Sequence, residues 1–166
     1  MMIKINFVVI SISMLLAISD LSGSIIIEEP VVAMVEEALT KETISDISTN
    51  VMNHLVQPTD ESYRVLSYSN KDELVESFSP YTSLSLAKKM VDLYYREHDN
   101  QLFIVPTETP AWFVESNDYS VDAVTDNHKV VTQTNTSDLY GTYTIHMDFV
   151  YKQSQGWILH DVTYEY

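Results

Sequence analysis

From Tyr143 to Lys152 the chain alternates strictly. Tyr143, Ile145, Met147, Phe149 and Tyr151 hold the odd positions, with Thr144, His146, Asp148, Val150 and Lys152 between them. Successive side chains of a strand point to opposite faces, so this pattern predicts a half-buried strand. Gln153-Ser154-Gln155-Gly156 interrupts the run, and Gly156 suits a tight turn. The return strand is Trp157 to Tyr166. Its pattern is mixed, with Ile158, Val162 and Tyr164 on one face and Trp157 and Leu159 on the other. Two partly apolar faces predict a strand inside the sheet, covered on both sides over part of its length. A hairpin alone is marginal in water, so the rest of the chain must cover this one.

Upstream the period changes to that of helices. Glu28 to Val56 reads as helix, in one or two pieces. Pro30 sits in its first turn, and Val31, Met34, Val35, Ala38 and Leu39 form one stripe. Ile44, Ile47, Val51, Met52, Leu55 and Val56 form a second, and Thr40 and Thr43 mark a break between them. Pro58 ends the segment. Tyr63 to Tyr68 is either a short strand or an extended link. Asn70 with Glu73 is a capping-box pattern ahead of Leu74, Val75 and Phe78. Thr82 or Ser83 caps the most amphipathic helix, which runs to Tyr95. Leu86, Met90, Leu93 and Tyr94 keep one face, with Ala87 and Val91 beside them, while Lys88, Lys89, Asp92, Arg96 and Glu97 lie largely elsewhere.

After His98-Asp99-Asn100 the chain turns to strands: Gln101 to Val105, Ala111 to Val114, Tyr119 to Thr125 and Lys129 to Thr134, then the final hairpin. Helices first and strands after predict an α+β fold, with N-terminal helices packed on a curved antiparallel sheet of about four to six strands.

The N-terminus has another character. Lys4 precedes the apolar run Phe7–Ile18, and small residues follow at Ala17 and Ser19, or Ser22 and Ser24. This predicts an export signal over 1–24, either removed or kept as an anchor. The expected organisation is then a signal (1–24), a helical segment (25–60) and an α+β domain (61–166). The domain lies outside the cytoplasm, secreted or at the cell envelope, and touches a membrane only through an uncleaved signal.

Charge narrows the partners. The 166 residues carry 9 Lys+Arg against 24 Asp+Glu, a net charge of −15. Phosphate neutralisation needs clustered cations, so nucleic acid is excluded as a partner. An acidic chain suits a basic partner, and equally a solvated surface that maintains solubility. The chain has no cysteine, which removes disulfides, thiolate ligands and cysteine nucleophiles. With only three glycines it has no phosphate-cradling loop. No catalytic motif, cofactor or metal is implied.

Three groups of residues invite a functional reading. His146 and Asp148 point the same way from one strand, with His160 and Asp161 on its partner. They suit an acid–base pair or a metal, or are simply a polar sheet face. Tyr140, Tyr143, Tyr151, Tyr164 and Tyr166 gather near the hairpin with Trp157. Such rings line binding surfaces, and as readily fill a core through cross-strand pairs. Pro106 and Pro110 bracket Glu108, with Trp112 just beyond. Two prolines stiffen a loop and lower the entropy lost when it meets a partner; the alternative is a plain connection whose tryptophan is buried.

The succession Asn70-Lys71-Asp72-Glu73-Leu74, Tyr81-Thr82 opening a helix, Asp99-Asn100-Gln101-Leu102, Ala111-Trp112 and a closing Gly156-Trp157 strand resembles exported Gram-positive inhibitors of cell-wall DL-endopeptidases (autolysin inhibitors) and their uncharacterised relatives. The resemblance covers roughly Tyr63 to Val162. It implies a non-enzymatic inhibitor whose partner is a cell-wall hydrolase, with Glu108 and Trp112 as contact residues. The order of elements is also similar to nuclear-transport-factor-like and cystatin-like folds, which host enzymes, binders and structural modules alike. That similarity keeps a second function open: a small-molecule or ion-binding domain with a pocket between helix 82–95 and the sheet, lined by Tyr and His. A third, an enzyme built on His146, Asp148 and His160, requires those side chains to converge.

Overall fold

The computed structural model describes residues 38–166. The expected signal (1–24) and residues 28–37 of the expected N-terminal helix lie outside the described residues. No helix among the described residues is long and apolar enough to cross a membrane.

The fold is α+β, with antiparallel strands following the helices. Helix α1 spans Lys41–Leu55 and starts at the break expected near Thr40, whose side-chain oxygen accepts from the Thr43 N–H at 3.1 Å. Asn70 caps α2 (Lys71–Ser77) by accepting from the Glu73 N–H at 2.9 Å. Glu73 reaches back to the Ser69 N–H, one residue before the cap position that a capping box would use. Ser83, not Thr82, caps α3 (Leu84–Tyr94).

Helix α3 ends at Tyr94, one residue before the expected end. Tyr95–His98 is strand β1, paired with β2 (Gln101–Ile104) across Asp99 and Asn100. Both turn residues have positive φ, at 48° and 59°. That is the tight hairpin turn Asp and Asn tolerate, and its twist matches the strands it joins. Arg96 and Glu97 therefore belong to a strand and not to a helix face. Leu93 is 62% exposed; the inward face of α3 is Leu86, Ala87, Met90 and Val91.

The main sheet is a meander, β3 (Ser120–Thr125), β4 (His128–Ser137), β5 (Gly141–Lys152) and β6 (Gly156–Glu165), in that spatial order. The strands thus divide between a two-stranded and a four-stranded sheet instead of forming one. The alternation in β5 is realised: Tyr143, Ile145, Met147 and Phe149 are buried in one cluster with α1 and α3. The expected faces of β6 need correction. Asp148 pairs with Asp161 but Phe149 with Leu159, so His160 is an extra residue and forms a bulge. A bulge shifts the parity of everything beyond it. Trp157 and Leu159 therefore share the helix side with Val162 and Tyr164, and Ile158 faces the other way. Nor is β6 an inner strand. It ends the sheet, and among the described residues only Tyr81–Ser83 flanks it, through a short parallel bridge at Leu159. At the opposite end, every residue of β3 is exposed.

One titratable ring sits against the aromatic core. His54, in the last turn of α1, meets the rings of Phe78 and Tyr81 edge-on at 5.6 and 5.3 Å. Burial lowers its pKa from the ordinary 6.5. Desolvation thus outweighs the stabilisation a helix C-terminus offers a cation. Above 6.5 the ring is neutral in both folded and unfolded chains. As pH falls below 6.5 the unfolded chain takes up the proton first, so the His54 contribution to stability is lost progressively down to the lowered folded pKa. Urea midpoints should therefore drop between neutral pH and the acid side of this window, and the drop should be smaller in His54→Gln.

Candidate functional site

The segment 105–117 carries the most unusual construction. Ala111 to Val114 was expected as a strand, yet it pairs with no strand among the described residues. The reason lies on β4. Inward parity there belongs to Val131, Gln133 and Asn135, and the two amides are only 1% and 4% exposed. Gln133 accepts from the Val114 N–H at 2.8 Å and donates back to the Val114 carbonyl at 2.9 Å. A side chain thus does what a neighbouring strand would do. Gln133 also donates to the Asn117 carbonyl at 3.3 Å. Asn117 donates to the Asn135 side-chain carbonyl at 2.7 Å, and Asn135 to that of Gln133 at 2.9 Å. Buried amides satisfied in this way fix geometry closely, because any displacement leaves a polar group unpaired.

Aromatic side chains secure the rest of the segment. The Tyr143 hydroxyl donates to the Trp112 carbonyl at 2.7 Å, and the Tyr140 hydroxyl to that of Thr109. The Trp112 indole N–H donates to the Ser48 carbonyl on α1 at 3.1 Å. Trp112 is half-buried, and one side of it lines a cavity of about 220 Å³ with Ser45, Ser48, Met52 and Glu115. Glu108 stands exposed between the prolines. Of the two proposed contact residues, then, Glu108 is freely presented and Trp112 is part anchor, part surface. Tyr143 is an internal anchor.

The histidine and aspartate group does not converge. On the sheet face turned away from the helices, Asp148 bonds His128 at 2.8 Å. His146 bonds the Thr132 hydroxyl through Nδ1 at 3.0 Å, and its Nε2 lies 3.6 Å from the Glu165 carboxylate. His160 stands exposed at the bulge, and its backbone carbonyl accepts from the Ser83 hydroxyl at 2.7 Å. Each side chain serves a cross-strand pair or faces solvent. Among the described residues no three His, Asp or Glu side chains are placed to hold a metal. Thr134–Thr144 and Thr136–Thr142 hydroxyl pairs, each at 2.9 Å, continue the same face.

The tyrosines divide between core and surface. Tyr164 is partly buried and its phenol pKa is raised, by desolvation first and by the neighbouring Tyr166 second. Tyr95 is fully buried and donates to the Leu55 carbonyl. Its phenol is pushed up to about 12 by burial.

The space between α3 and the sheet is filled by Leu86, Ala87, Met90 and Val91 against Ile145, Met147, Phe149 and Leu159. A cavity of about 370 Å³ opens instead at the start of α3, between α2 and the β5–β6 turn. Its lining includes Asp72, Glu76, Thr82, Leu84, Lys152 and Gln155. Sequence reasoning missed this place, and it missed Gln133 and Asn135. For the amides a signal existed: polar residues at the inward parity of a strand whose Val131 is core. The cavity has none, because its walls come from three separate segments.

Gln133→Leu keeps the volume and removes both bonds to Val114. It should destabilise the protein by about 1–3 kcal/mol in urea unfolding. Hydrogen exchange at the Val114 amide should rise well beyond what the change in global stability accounts for. No family model matches this chain, and no curated protein matches it.

Proposed function

We propose that this is an exported, non-enzymatic binding protein of the cell envelope that inhibits a peptidoglycan DL-endopeptidase by docking on its groove. The observation that carries the reading is the anchoring of segment 105–117. A stretch without helix or strand is held by side chains of Gln133, Tyr140 and Tyr143 and by the Trp112 bond to α1. A loop already fixed loses little entropy on binding, as an inhibitory loop requires. It presents Glu108 on a protein of net charge −15, which favours a basic groove as the complementary surface. Export is read from Lys4 and the apolar run Phe7–Ile18. The choice of a cell-wall hydrolase as partner rests on the family resemblance.

A second reading is favoured by one specific feature. The Thr82 hydroxyl is buried without a hydrogen-bond partner in the wall of the 370 Å³ cavity. That cavity lies at the start of α3 beside α2 and the β5–β6 turn, next to the space between helix 82–95 and the sheet where a small-molecule site was expected.

The test of the first reading is digestion of purified peptidoglycan by DL-endopeptidases with the protein added. Stoichiometric inhibition is expected. Glu108→Lys, on an exposed side chain, should raise the inhibitory concentration by about tenfold without changing thermal stability. Unchanged digestion at micromolar excess across a panel of such enzymes would overturn it.

A further inference from the structure

We infer that the cavity walled by α2, the start of α3 and the β5–β6 turn binds a small molecule carrying two ammonium groups and one carboxylate, the charge pattern of a free basic amino acid. This rests on the second reading above and names its ligand.

The argument begins with unspent charge. Asp72 and Glu76 lie four residues apart on α2, so both project from one side of it. Lys152, at the end of β5, shares the same cavity. Nearby charges are already paired, Lys71 with Asp92 and Lys89 with Asp161, each at 2.9 Å. Asp72, Glu76 and Lys152 are in no ion pair among the described residues. Two carboxylates facing one ammonium call for the inverse set in a ligand. A neutral zwitterion leaves one carboxylate unmatched, and a diamine leaves Lys152 unmatched.

The walls support the same assignment. Thr82 is 3% exposed, its hydroxyl has no partner, and its backbone is fixed by the bonds of its neighbours to β6, Ser83 N–H to the Leu159 carbonyl at 2.9 Å and Leu159 N–H to that of Tyr81 at 2.8 Å. A buried hydroxyl without a partner is unfavourable, and a polar group of the ligand would satisfy it. Gln155 closes one side by donating to the Ser79 carbonyl at 3.0 Å, which leaves its own carbonyl as an acceptor. Val75 and Ala87 give an apolar floor, and Leu84, 73% exposed, an apolar rim for an aliphatic stem. At about 370 Å³ the space is at the small end of ligand sites, suited to one amino acid.

Calorimetric titration of the full chain tests this with four probes: L-lysine, norleucine (no side-chain ammonium), cadaverine (no carboxylate) and the dipeptide Ala-Lys. L-lysine should bind with a Kd on the order of 1 mM, as its size allows. Norleucine and cadaverine should each bind about tenfold more weakly. Asp72→Asn and Glu76→Gln should each weaken L-lysine, and only one of the two, the carboxylate that takes the α-ammonium, should also weaken norleucine, while Lys152→Gln should weaken L-lysine and leave cadaverine unchanged. These side chains are exposed, so the variants keep the fold. Equal binding of norleucine and L-lysine would overturn the charge assignment and leave the small-molecule reading standing. Binding of Ala-Lys more tightly than L-lysine would overturn the free amino acid in favour of a peptide terminus. Wild-type affinity for L-lysine in the Asp72→Asn/Glu76→Gln double variant would place the site elsewhere. No binding by any probe at tens of millimolar would overturn both the ligand and the small-molecule reading.

Discussion

Burial of one face of a four-stranded sheet is the constraint on which the rest depends. Tyr143, Ile145, Met147 and Phe149 point to one side of β5, and the helices must cover them. That requirement fixes the inward stripe of α3 and of α1, whose Ile44, Ile47, Val51 and Leu55 join the same cluster. It also explains the bulge at His160. Without the extra residue, Leu159 and Val162 fall on opposite faces of β6; with it, both reach the core.

The second consequence is where polar groups end up. A meander of this size has more inward positions than the three helices among the described residues cover. At the far end of β4 the gap is closed by irregular chain, and Gln133 and Asn135 replace apolar residues because that chain brings unpaired backbone groups with it. The outward face needs no such arrangement, since solvent and cross-strand pairs serve His128, Asp148, the threonines and Nδ1 of His146. Fold and candidate site are thus two results of one packing problem.

Much of this was legible in the residues. Period-two alternation announced β5, and the break at Thr40 and Thr43 and the cap at Asn70 marked two helix starts, because these signals are local. The errors share a physical origin in contacts distant along the chain. Tyr95–His98 continues a helical pattern, and only pairing with Gln101–Ile104 makes it a strand. Ala111–Val114 has strand-forming residues, but the neighbour that answers it is a side chain. The parity of β6 is ambiguous until the bulge resolves it. The grouping of His146, Asp148 and His160 failed for the same reason, since strand register and His128 decide where those side chains go.

Strand β3 has a further bearing on how the protein behaves at high concentration. It is the outermost strand of its sheet, solvated along its whole length, with one row of amide and carbonyl groups turned away from β4. Such a margin invites another chain to extend the sheet and begin a fibre. Asp122 at its centre, with Asp118 and Asp126 at either end, sets like charges against each other whenever two copies meet along it. The surplus of acid thus acts as a guard against polymerisation, one that strong acid or high salt would remove.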